Sequence, residues 1–435
     1  MGAVRSGARL TRARPDLESH VRGRAIEVLL GAVLAGGLTG MFVVQETNFA
    51  VDAPIVVGER QPARSVERLL SPDYVTSDAG CLEDRSAQGL DQFFAAAVGP
   101  VIGHDSPRIL PLGGKRALWI AQDPFVDNAG TAAQMIQAQY MNSAVFVQDG
   151  NCFTTVVRGT PETSLSFEPG DGESFDRFFW PAGGSVDGAT IKMFWTEMHR
   201  DPVPADPLDG VNVHPVATWL ATYDLQSLQR LSFVKAPNSG VQPVYGFDVV
   251  DDGDYSYLFG NSFAQNLSLE GGYSNGPHTG TKMWLARVPR GQLQRPPEYR
   301  TADGWSSVPS DAVAISSRYW TENEMRPVLI GGRWLSVTKV DGFLGNELVV
   351  DSAEHPWGPW TQVSARPAAP RGSPDGLVTY APIPMPWLDR NGELIVGLSQ
   401  IDIQWPSHNG GDPARYRPHY FDIPLTGGKP LAPAS

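Results

Sequence analysis

The stretch HDSPRILPLGGKRALWIAQD, residues 104–123, predicts a β-hairpin, the unit from which the fold is built. Two apolar runs flank the turn LGGK at residues 112–115, and a short glycine-containing turn between such runs is typical of antiparallel strands. Asp105 and Asp123 are equally distant from Gly114, so folding about this turn makes them neighbours on adjacent strands. The sequence therefore predicts two carboxylates side by side at the open end of the hairpin.

The pattern of a Gly- and Asp-rich turn followed by an apolar strand recurs along the chain at intervals of 60 to 79 residues. The glycines of these turns are Gly114, Gly188, Gly253, Gly332 and Gly392. Each interval has room for one four-stranded sheet with long loops, and a repeated antiparallel sheet is the signature of a β-propeller. We therefore predict an all-β, five-bladed β-propeller, with a two-sheet sandwich of the same hairpins as the alternative.

The end of the chain leaves the fifth predicted blade one strand short, because only 43 residues follow Gly392. We expect a segment that precedes residue 105 to supply this strand and so remove a free sheet edge. A short helix is predicted over Ala87–Val98 in that segment.

The composition limits the partners of the protein. The chain has 435 residues, of which 41% are hydrophobic and 19% charged, in keeping with a globular protein that has a sizeable core. The formal net charge is -13; residues 1–27 carry +3, which leaves about -16 for the rest. Binding to nucleic acid needs Lys and Arg against the phosphates, so this acidic body excludes a nucleic-acid partner.

Residues 25–44, AIEVLLGAVLAGGLTGMFVV, form an apolar run long enough to span a bilayer, directly after an Arg-rich segment. Positive residues before such a run predict that the N-terminus stays inside and that the body is exported. We predict a basic cytosolic tail (1–24), a transmembrane anchor or signal segment (25–44), a linker (45–72) and an extracytoplasmic propeller domain (73–435). A buried helix of the fold is the alternative for the apolar run.

The chain has two cysteines, Cys81 and Cys152. In an exported protein such a pair predicts a disulfide, which would tie the segment before the first blade to the outer strands of that blade. In a cytosolic protein the two residues would be ordinary buried thiols.

The same folding rule brings acidic and aromatic side chains to the open ends of other hairpins. In the fourth unit Glu324 approaches Lys339, and in the fifth Tyr380 approaches Asp402. If all hairpins point the same way, these ends converge on one face of the ring, where Trp180 adds a flat surface for stacking on a sugar. A glycosidase needs such a face, since one carboxylic acid protonates the leaving oxygen while a second carboxylate attacks the anomeric carbon or activates water.

Motifs for other chemistries are absent from the sequence. There is no P-loop, no G-x-S-x-G elbow, no H-E-x-x-H motif and no dinucleotide fingerprint. No Cys/His spacing of the metal-binding kind occurs. We therefore expect neither a metal ion nor a cofactor.

Short motifs of the first blade resemble a known family. GHD (103–105) and LWIAQDPF (118–125) resemble the first-blade pattern of five-bladed propeller glycosidases of actinobacteria, which include endo-D-arabinanases and were long catalogued as a domain of unknown function. The resemblance implies that Asp105 and Asp123 are the catalytic pair. The sequence departs from the pattern at Gln122, which stands where the family has Gly, and Pro124 and Ser106 also replace family residues.

The resemblance extends loosely from residue 99 to residue 423 and implies further site residues. The segment MNSA (141–144) resembles the next strand of that family, with its inward Asn, while FWPAGG (179–184) and VTYAP (378–382) resemble the starts of its second and fifth blades. They suggest Asn142, Trp180 and Tyr380 as substrate contacts, and the hairpin geometry adds Glu324.

Together, residues and resemblance predict an exported glycoside hydrolase that cleaves a furanose-containing cell-envelope polysaccharide of the D-arabinan or arabinogalactan type. The alternative is a non-catalytic propeller that binds glycans or acts as a scaffold in the cell envelope.

Overall fold

The computed structural model describes residues 70–160, 162–200, 213–241, 243–261, 283–316, 326–340, 347–367, 377–402 and 411–425. This part of the chain is almost entirely β-structure, which confirms the predicted all-β class. The α-helix α1 (Ala87–Phe94) lies where the sequence predicts a short helix. The predicted tail, the apolar segment 25–44 and the linker up to residue 69 lie outside the described residues, in which no helix is long and apolar enough to cross a bilayer.

The first part of the chain forms nine strands. They are β1 (Tyr74–Cys81), β2 (Val101–Gly103), β3 (Arg108–Gly113), β4 (Arg116–Gln122), β5 (Phe125–Val126), β6 (Gln139–Tyr140), β7 (Ser143–Asp149), β8 (Cys152–Gly159) and β9 (Ser164–Leu165). The first large sheet has the order β1-β8-β7-β4-β3, with β9 paired to β8, while β2, β5 and β6 form a small sheet of their own. The hairpin quoted above is thus β3–β4, at the inner end of the large sheet.

Four further sheets follow, each built from consecutive antiparallel strands. The second sheet contains β10 (Arg177–Asp187), β11 (Thr190–Arg200), β12 (Val213–Asp224) and β13 (Arg230–Lys235). The third contains β14 (Val244–Asp252), β15 (Tyr255–Asn261), β16 (Met283–Pro289), β17 (Glu298–Arg300) and β18 (Trp305–Ser306). The fourth contains β19 (Arg326–Ile330), β20 (Arg333–Val340), β21 (Glu347–Ala353) and β22 (Thr361–Pro367). The fifth contains β23 (Leu377–Leu388), β24 (Leu394–Asp402) and β25 (His419–Ile423).

The five large sheets, here called blades 1 to 5, are arranged in a ring. Their first strands contact one another in the order β3, β10, β14, β19 and β23, and β23 contacts β3 again. Five apolar clusters fill the spaces between neighbouring blades, including the space between blades 5 and 1, where Trp119 packs against Trp387. No sheet of the described residues is itself closed, so the ring is closed by packing between sheets. This is the arrangement of a five-bladed β-propeller.

The inner strands of blades 2 and 3 approach so closely that a side chain would not fit between them. A Cβ atom on Gly183 would lie 2.3 Å from the backbone nitrogen of Val249. Glycine at this position therefore allows β10 and β14 to pack backbone to backbone.

At the open end of the first hairpin, the observed pairing of residues is the one predicted by folding the sequence symmetrically about Gly114. Leu110 pairs with Leu118 and Arg108 with Ile120, and the backbone N–H of Asp105 donates to the carbonyl of Gln122 at 3.2 Å. A bulge lies only at the turn end of this ladder. Continuing the pairing towards the open end brings residues 105 and 123 opposite each other, as the sequence predicts.

The predicted pairing of Tyr380 with Asp402 is wrong. Tyr380 pairs with Ser399, and Asp402 pairs with Leu377. Two irregularities, before Ile383 and before Leu388, shift the β23–β24 register, since each extra residue on one strand moves all pairs beyond it. The predicted approach of Glu324 to Lys339 cannot be placed, because Glu324 lies outside the described residues.

The segment before residue 105 covers the edge of blade 5 with a helix rather than with the predicted strand. Helix α1 packs on β25, and the Asp91 carboxylate accepts the backbone N–H of Tyr420 at 2.9 Å. The Trp387 indole donates to the carbonyl of Arg85 at 3.0 Å. The strand of this segment, β1, pairs with β8 in blade 1 instead. In the described residues blade 5 therefore has three strands, and a carboxylate satisfies part of its outer edge.

The predicted disulfide between Cys81 and Cys152 is present. It joins directly paired residues of β1 and β8, the two outermost strands of blade 1. The bond thus ties the segment before the first blade to the outer strands of that blade.

A buried ion pair crosses the interior of the ring. Arg108 on β3 donates to the carboxylate of Asp248 and to the carbonyl of Phe247, both at 2.9 Å, and its guanidinium lies 4.6 Å from the Phe247 ring centre. Blades 1 and 3 are not neighbours in the ring, so this pair links sheets that share no apolar layer.

We expect Arg108→Met to lower the free energy of unfolding by about 3–5 kcal/mol, because it leaves Asp248 unpaired in a largely buried position. The double variant Arg108→Met/Asp248→Leu should regain much of this loss, since the unpaired charge is gone. Arg290→Met is the control, because Arg290 is largely exposed and its ion pair with Asp251, at 3.9 Å, should be worth at most ~1 kcal/mol. Denaturant unfolding measures all three variants, and equal losses for Arg108→Met and the control would contradict a structural role of the central pair.

Candidate active site

The structure brings Asp105 and Asp123 together at one end of the ring, where blades 1, 2 and 5 meet. Asp105 lies between β2 and β3, and Asp123 directly follows β4. The backbone of Asp123 has a φ of 49°, in the left-handed region that aspartate tolerates better than most residues. This conformation ends the strand and turns the chain towards β5.

Asp105 is almost fully buried, with 8% of its surface exposed. The Tyr380 hydroxyl, from the first strand of blade 5, donates to its Oδ1 atom. Burial and the nearby Asp123 carboxylate raise the pKa of Asp105 to about 8, although the Tyr380 and Tyr416 hydroxyls and the charge of Arg326 oppose this shift. At neutral pH the Asp105 carboxyl therefore carries a proton.

Asp123 has more hydrogen-bond donors around its carboxylate. Its Oδ1 atom accepts the Tyr140 hydroxyl at 2.8 Å and the Trp180 indole N–H at 2.9 Å. Burial raises the pKa of Asp123 to about 6, while these donors, the Gln122 amide and the charge of Arg200 hold it down. At neutral pH Asp123 is therefore mostly ionised, beside a protonated Asp105.

Two neighbouring carboxyls with separated pKa values can share the work of acid and base. The protonated partner can donate to a leaving group, and the ionised partner can attack an electrophilic carbon or take a proton from water. Asp105 is placed for the first role and Asp123 for the second.

Three tyrosine hydroxyls surround the pair, from Tyr140, Tyr380 and Tyr416. Tyr416 donates to the backbone carbonyl of Asp123 at 3.1 Å. The sequence prediction includes Tyr380 but misses Tyr140 and Tyr416. Tyr140 lies on the two-residue strand β6 and Tyr416 follows a short 3₁₀ helix (Pro413–Arg415), so neither belongs to a hairpin that a folding rule could align.

The backbone of Asp105 is held on both sides. The ring of His104 is buried, and its Nδ1 atom lies 2.6 Å from the carbonyl oxygen of Asp105. Burial lowers the pKa of His104 to about 4, so the ring is neutral and its Nδ1–H donates to that carbonyl. The backbone N–H of Ser106 donates to the Ser399 hydroxyl of blade 5 at 2.8 Å. Blade 5 thus fixes the segment between β2 and β3 that carries Asp105.

The other predicted site residues differ in their placement. Trp180 and Tyr380 each bond one carboxylate of the pair, so they belong to the same group. The Asn142 carbonyl accepts the backbone N–H of Asp123 at 3.4 Å, while its side chain donates to Glu173 at 3.2 Å. Asn142 is buried and lies beside the pair. Glu324 lies outside the described residues.

One group of three carboxylates in the described residues has the spacing of a metal site. Oxygen atoms of Asp389, Glu393 and Asp422 lie within 4.8 Å of one another at the turn between β23 and β24. Asp389 already accepts two backbone N–H groups of this turn, from Asn391 and Glu393, at 2.9 and 2.6 Å. These hydrogen bonds stabilise the turn itself, which lies at the opposite end of β23 from the aspartate pair.

Comparisons with known proteins place this chain in a family. A family model described as "Domain of unknown function (DUF5005)" matches residues 88–424, and no curated protein matches the sequence. A provisionally assigned hydrolase from Bacteroides ovatus is 17% identical, with 83% of this chain and 93% of that chain covered and a TM-score of 0.56, so the two share a fold.

Two fungal structures are more distantly similar. An exo-β-1,3-galactanase from Phanerochaete chrysosporium is 12% identical, with 80% and 64% of the two chains covered and a TM-score of 0.39. An α-L-arabinofuranosidase from Podospora anserina is 12% identical, with 82% and 99% covered and a TM-score of 0.39. Since the family model spans most of the chain, the protein is a member of the DUF5005 family.

Proposed function

We propose that the protein is a glycoside hydrolase that uses Asp105 and Asp123 as its catalytic pair. One observation carries the proposal: two carboxyls at the open end of one hairpin are buried together, each held by hydroxyl or indole donors. Burial raises the pKa of both, and the Asp123 carboxylate raises that of Asp105 further. Glycoside hydrolysis needs one proton donor and one ionised carboxylate on opposite sides of the scissile bond. The pair supplies both near neutral pH.

The different surroundings of the two carboxyls support an assignment of their roles. Asp105, which is protonated, donates its proton to the glycosidic oxygen as the bond from this oxygen to the anomeric carbon breaks. Asp123, which is ionised, either attacks the anomeric carbon or takes a proton from the water that attacks it. Hydrolysis of the bond adds one water in total, and Asp105 recovers its proton at the end. Trp180 and Tyr140 orient the Asp123 carboxylate through its Oδ1 atom.

We propose as substrate a furanose-containing polysaccharide of the cell envelope, of the D-arabinan or arabinogalactan type. The support is the resemblance of residues 103–105 and 118–125 to the endo-D-arabinanase group, and an acidic body that suits a neutral glycan better than a polyanion. Asn142, Trp180, Glu324 and Tyr380 are the proposed substrate contacts.

An extracytoplasmic position is part of the proposal. The Arg-rich segment and the apolar run 25–44 would export the body and either anchor it in the membrane or be cleaved. A disulfide such as that between Cys81 and Cys152 persists in oxidising compartments outside the cytosol.

The rival function is glycan binding without catalysis. Gln122 stands where the resembled family has Gly, and its amide lies 3.5 Å from Oδ2 of Asp123. A binding module would retain the glycan but release no product, which separates it from the hydrolase in the assay below.

We expect Asp105→Asn and Asp123→Asn each to reduce the release of oligosaccharides from arabinogalactan or lipoarabinomannan by at least ~100-fold, because each removes one proton-transfer or nucleophilic step. Asp422→Asn is the matched control, since its carboxyl also has a pKa raised to about 6 but lies at the far end of blade 5, and it should keep wild-type activity. Chromatography of the released sugars measures the effect. Activity that persists in both aspartate variants would refute the catalytic pair, whereas binding without release in the wild type would favour the rival function.

The pH profile of the wild-type enzyme should be bell-shaped, with limbs near pH 6 and pH 8. Activity rises as Asp123 loses its proton and falls as Asp105 loses its own, and both limbs belong to the coupled pair. Initial rates between pH 4 and pH 10 measure this profile. A rate that keeps rising above pH 9 would exclude Asp105 as the proton donor.

The same pair should make the fold less stable as the pH rises. A carboxyl whose pKa is higher in the folded than in the unfolded state binds more protons when folded, so folding weakens as pH rises from about 4 towards 8. We expect Asp105→Asn to raise the melting temperature, with a gain that grows between pH 5 and pH 8. Calorimetry at these two pH values measures it, and a gain that shrinks with pH would mean that Asp105 has a lowered pKa.

A further inference from the structure

Arg200, at the end of β11 in blade 2, lies against two aromatic rings, one of which packs beside the Trp180 indole that binds Asp123. Its guanidinium lies 4.6 Å from the ring centre of Phe175 and 5.1 Å from that of Phe178. The Phe178 ring lies 5.4 Å from that of Trp180, whose indole donates to Asp123. A continuous stack of side chains thus leads from Arg200 to the ionised carboxylate.

The position of Arg200 is fixed without a carboxylate partner. Its Nε atom donates to the carbonyl of Phe175 at 3.2 Å, and its backbone N–H donates to the carbonyl of Asp176 at 2.9 Å. Among the residues that the structure describes, no carboxylate oxygen lies within 4.0 Å of the guanidinium. These contacts hold the side chain without an ion pair, and the two carboxylates whose charges act on Arg200, Asp123 and Asp176, do so from a greater distance.

Arg177 on the adjacent strand β10 shows the opposite arrangement. Its guanidinium forms ion pairs with Glu197 and with Asp171, both at 2.7 Å. Its charge is therefore matched locally by two carboxylates, although it lies at the same end of blade 2 as Arg200.

Asp123 is faced by charged and titratable groups from several elements. They are Asp105 before β3, Tyr140 on β6, Arg200 on β11, Tyr380 on β23 and Tyr416 beside blade 5. Arg326 on β19 acts on Asp105. Arg200 is the cation of this set whose charge acts on Asp123, and it acts also on the Tyr140 hydroxyl that donates to Asp123.

We propose that Arg200 is a positioning residue whose unneutralised charge, held against Phe175 and Phe178, keeps Asp123 ionised and so leaves the shared proton on Asp105. This inference rests on the proposed function for its catalytic meaning. Without Arg200 the two carboxyls would still differ in their burial, in their hydrogen bonds and in the charge of Arg326, but their pKa values would lie closer together and the proton would be divided more evenly between them. Its charge would thus select which aspartate is the acid.

The test is an NMR titration of the Asp123 side-chain carboxyl in the full-length protein, with the resonance assigned by its loss in Asp123→Asn. Arg200→Gln should raise the pKa of Asp123 by about 1, because an attractive charge is removed. Arg200→Lys, which keeps the charge, should change it much less. Arg177→Gln is the matched control and should leave it unchanged, since the charge of Arg177 is already balanced by Glu197 and Asp171.

A second measurement uses the wild-type protein and so does not depend on whether a variant folds. In the wild type the Nε resonance of Arg200 should shift with the same midpoint as the Asp123 carboxyl, because the two charges interact. The proposal would be overturned if the pKa of Asp123 were unchanged in Arg200→Gln or changed equally in Arg177→Gln. It would also be overturned if the Arg200 Nε resonance did not shift as Asp123 titrates.

Activity distinguishes this inference from the proposed function. If the protein hydrolyses the glycan, Arg200→Gln should move the acidic limb of its pH profile upwards by about the same amount as the Asp123 titration and leave the basic limb in place. If the wild type has no activity but the Asp123 titration moves as expected, the role of Arg200 stands and the hydrolase proposal fails.

Discussion

The contact between blades 5 and 1 is the constraint on which the rest of the structure depends. Each blade buries both faces only when its neighbours are in place, so the ring gains its last apolar layer when β23 reaches β3. The same contact carries Tyr380 to Asp105 and fixes Ser106 through Ser399. The hairpin of blade 1 brings the two aspartates together, and ring closure completes their surroundings by adding the contacts from blade 5.

Burying two carboxyls is unfavourable, and the surrounding structure offsets it with specific contacts. Hydroxyl and indole donors from the small sheet and from blades 2 and 5 reach the pair, and the proton retained by Asp105 removes one of the two charges from the interior. Backbone strain gathers here as well, since Asp123 and Ala381 both have φ values in the left-handed region. Such strain persists only where neighbouring packing holds it, and it is concentrated at functional sites.

The sequence predicts those features that depend on local symmetry and misses those that depend on irregular backbone. Asp105 and Asp123 meet because no bulge separates them from the paired part of their hairpin. The same rule fails for Tyr380, where irregularities shift the partner strand, yet Tyr380 still reaches the site because it lies near the start of an inner strand. Tyr140 and Tyr416 lie in short elements whose positions are set by packing across the ring. The helix α1 on the edge of blade 5 could be predicted as a helix, but not as the cover of that edge.

The arginines show how one residue type serves two purposes in this fold. Arg108 extends across the ring interior and forms an ion pair with Asp248. Asp248 neutralises its charge, and the pair links blades 1 and 3. Arg200 is held instead by aromatic faces and carbonyl oxygens, which fix a guanidinium without neutralising it. A charge held in this way acts on the titratable groups around it, which include Tyr140, Asp123 and Asp176. The difference between a structural and a functional arginine here is therefore the chemistry of the groups that hold it rather than its depth in the protein.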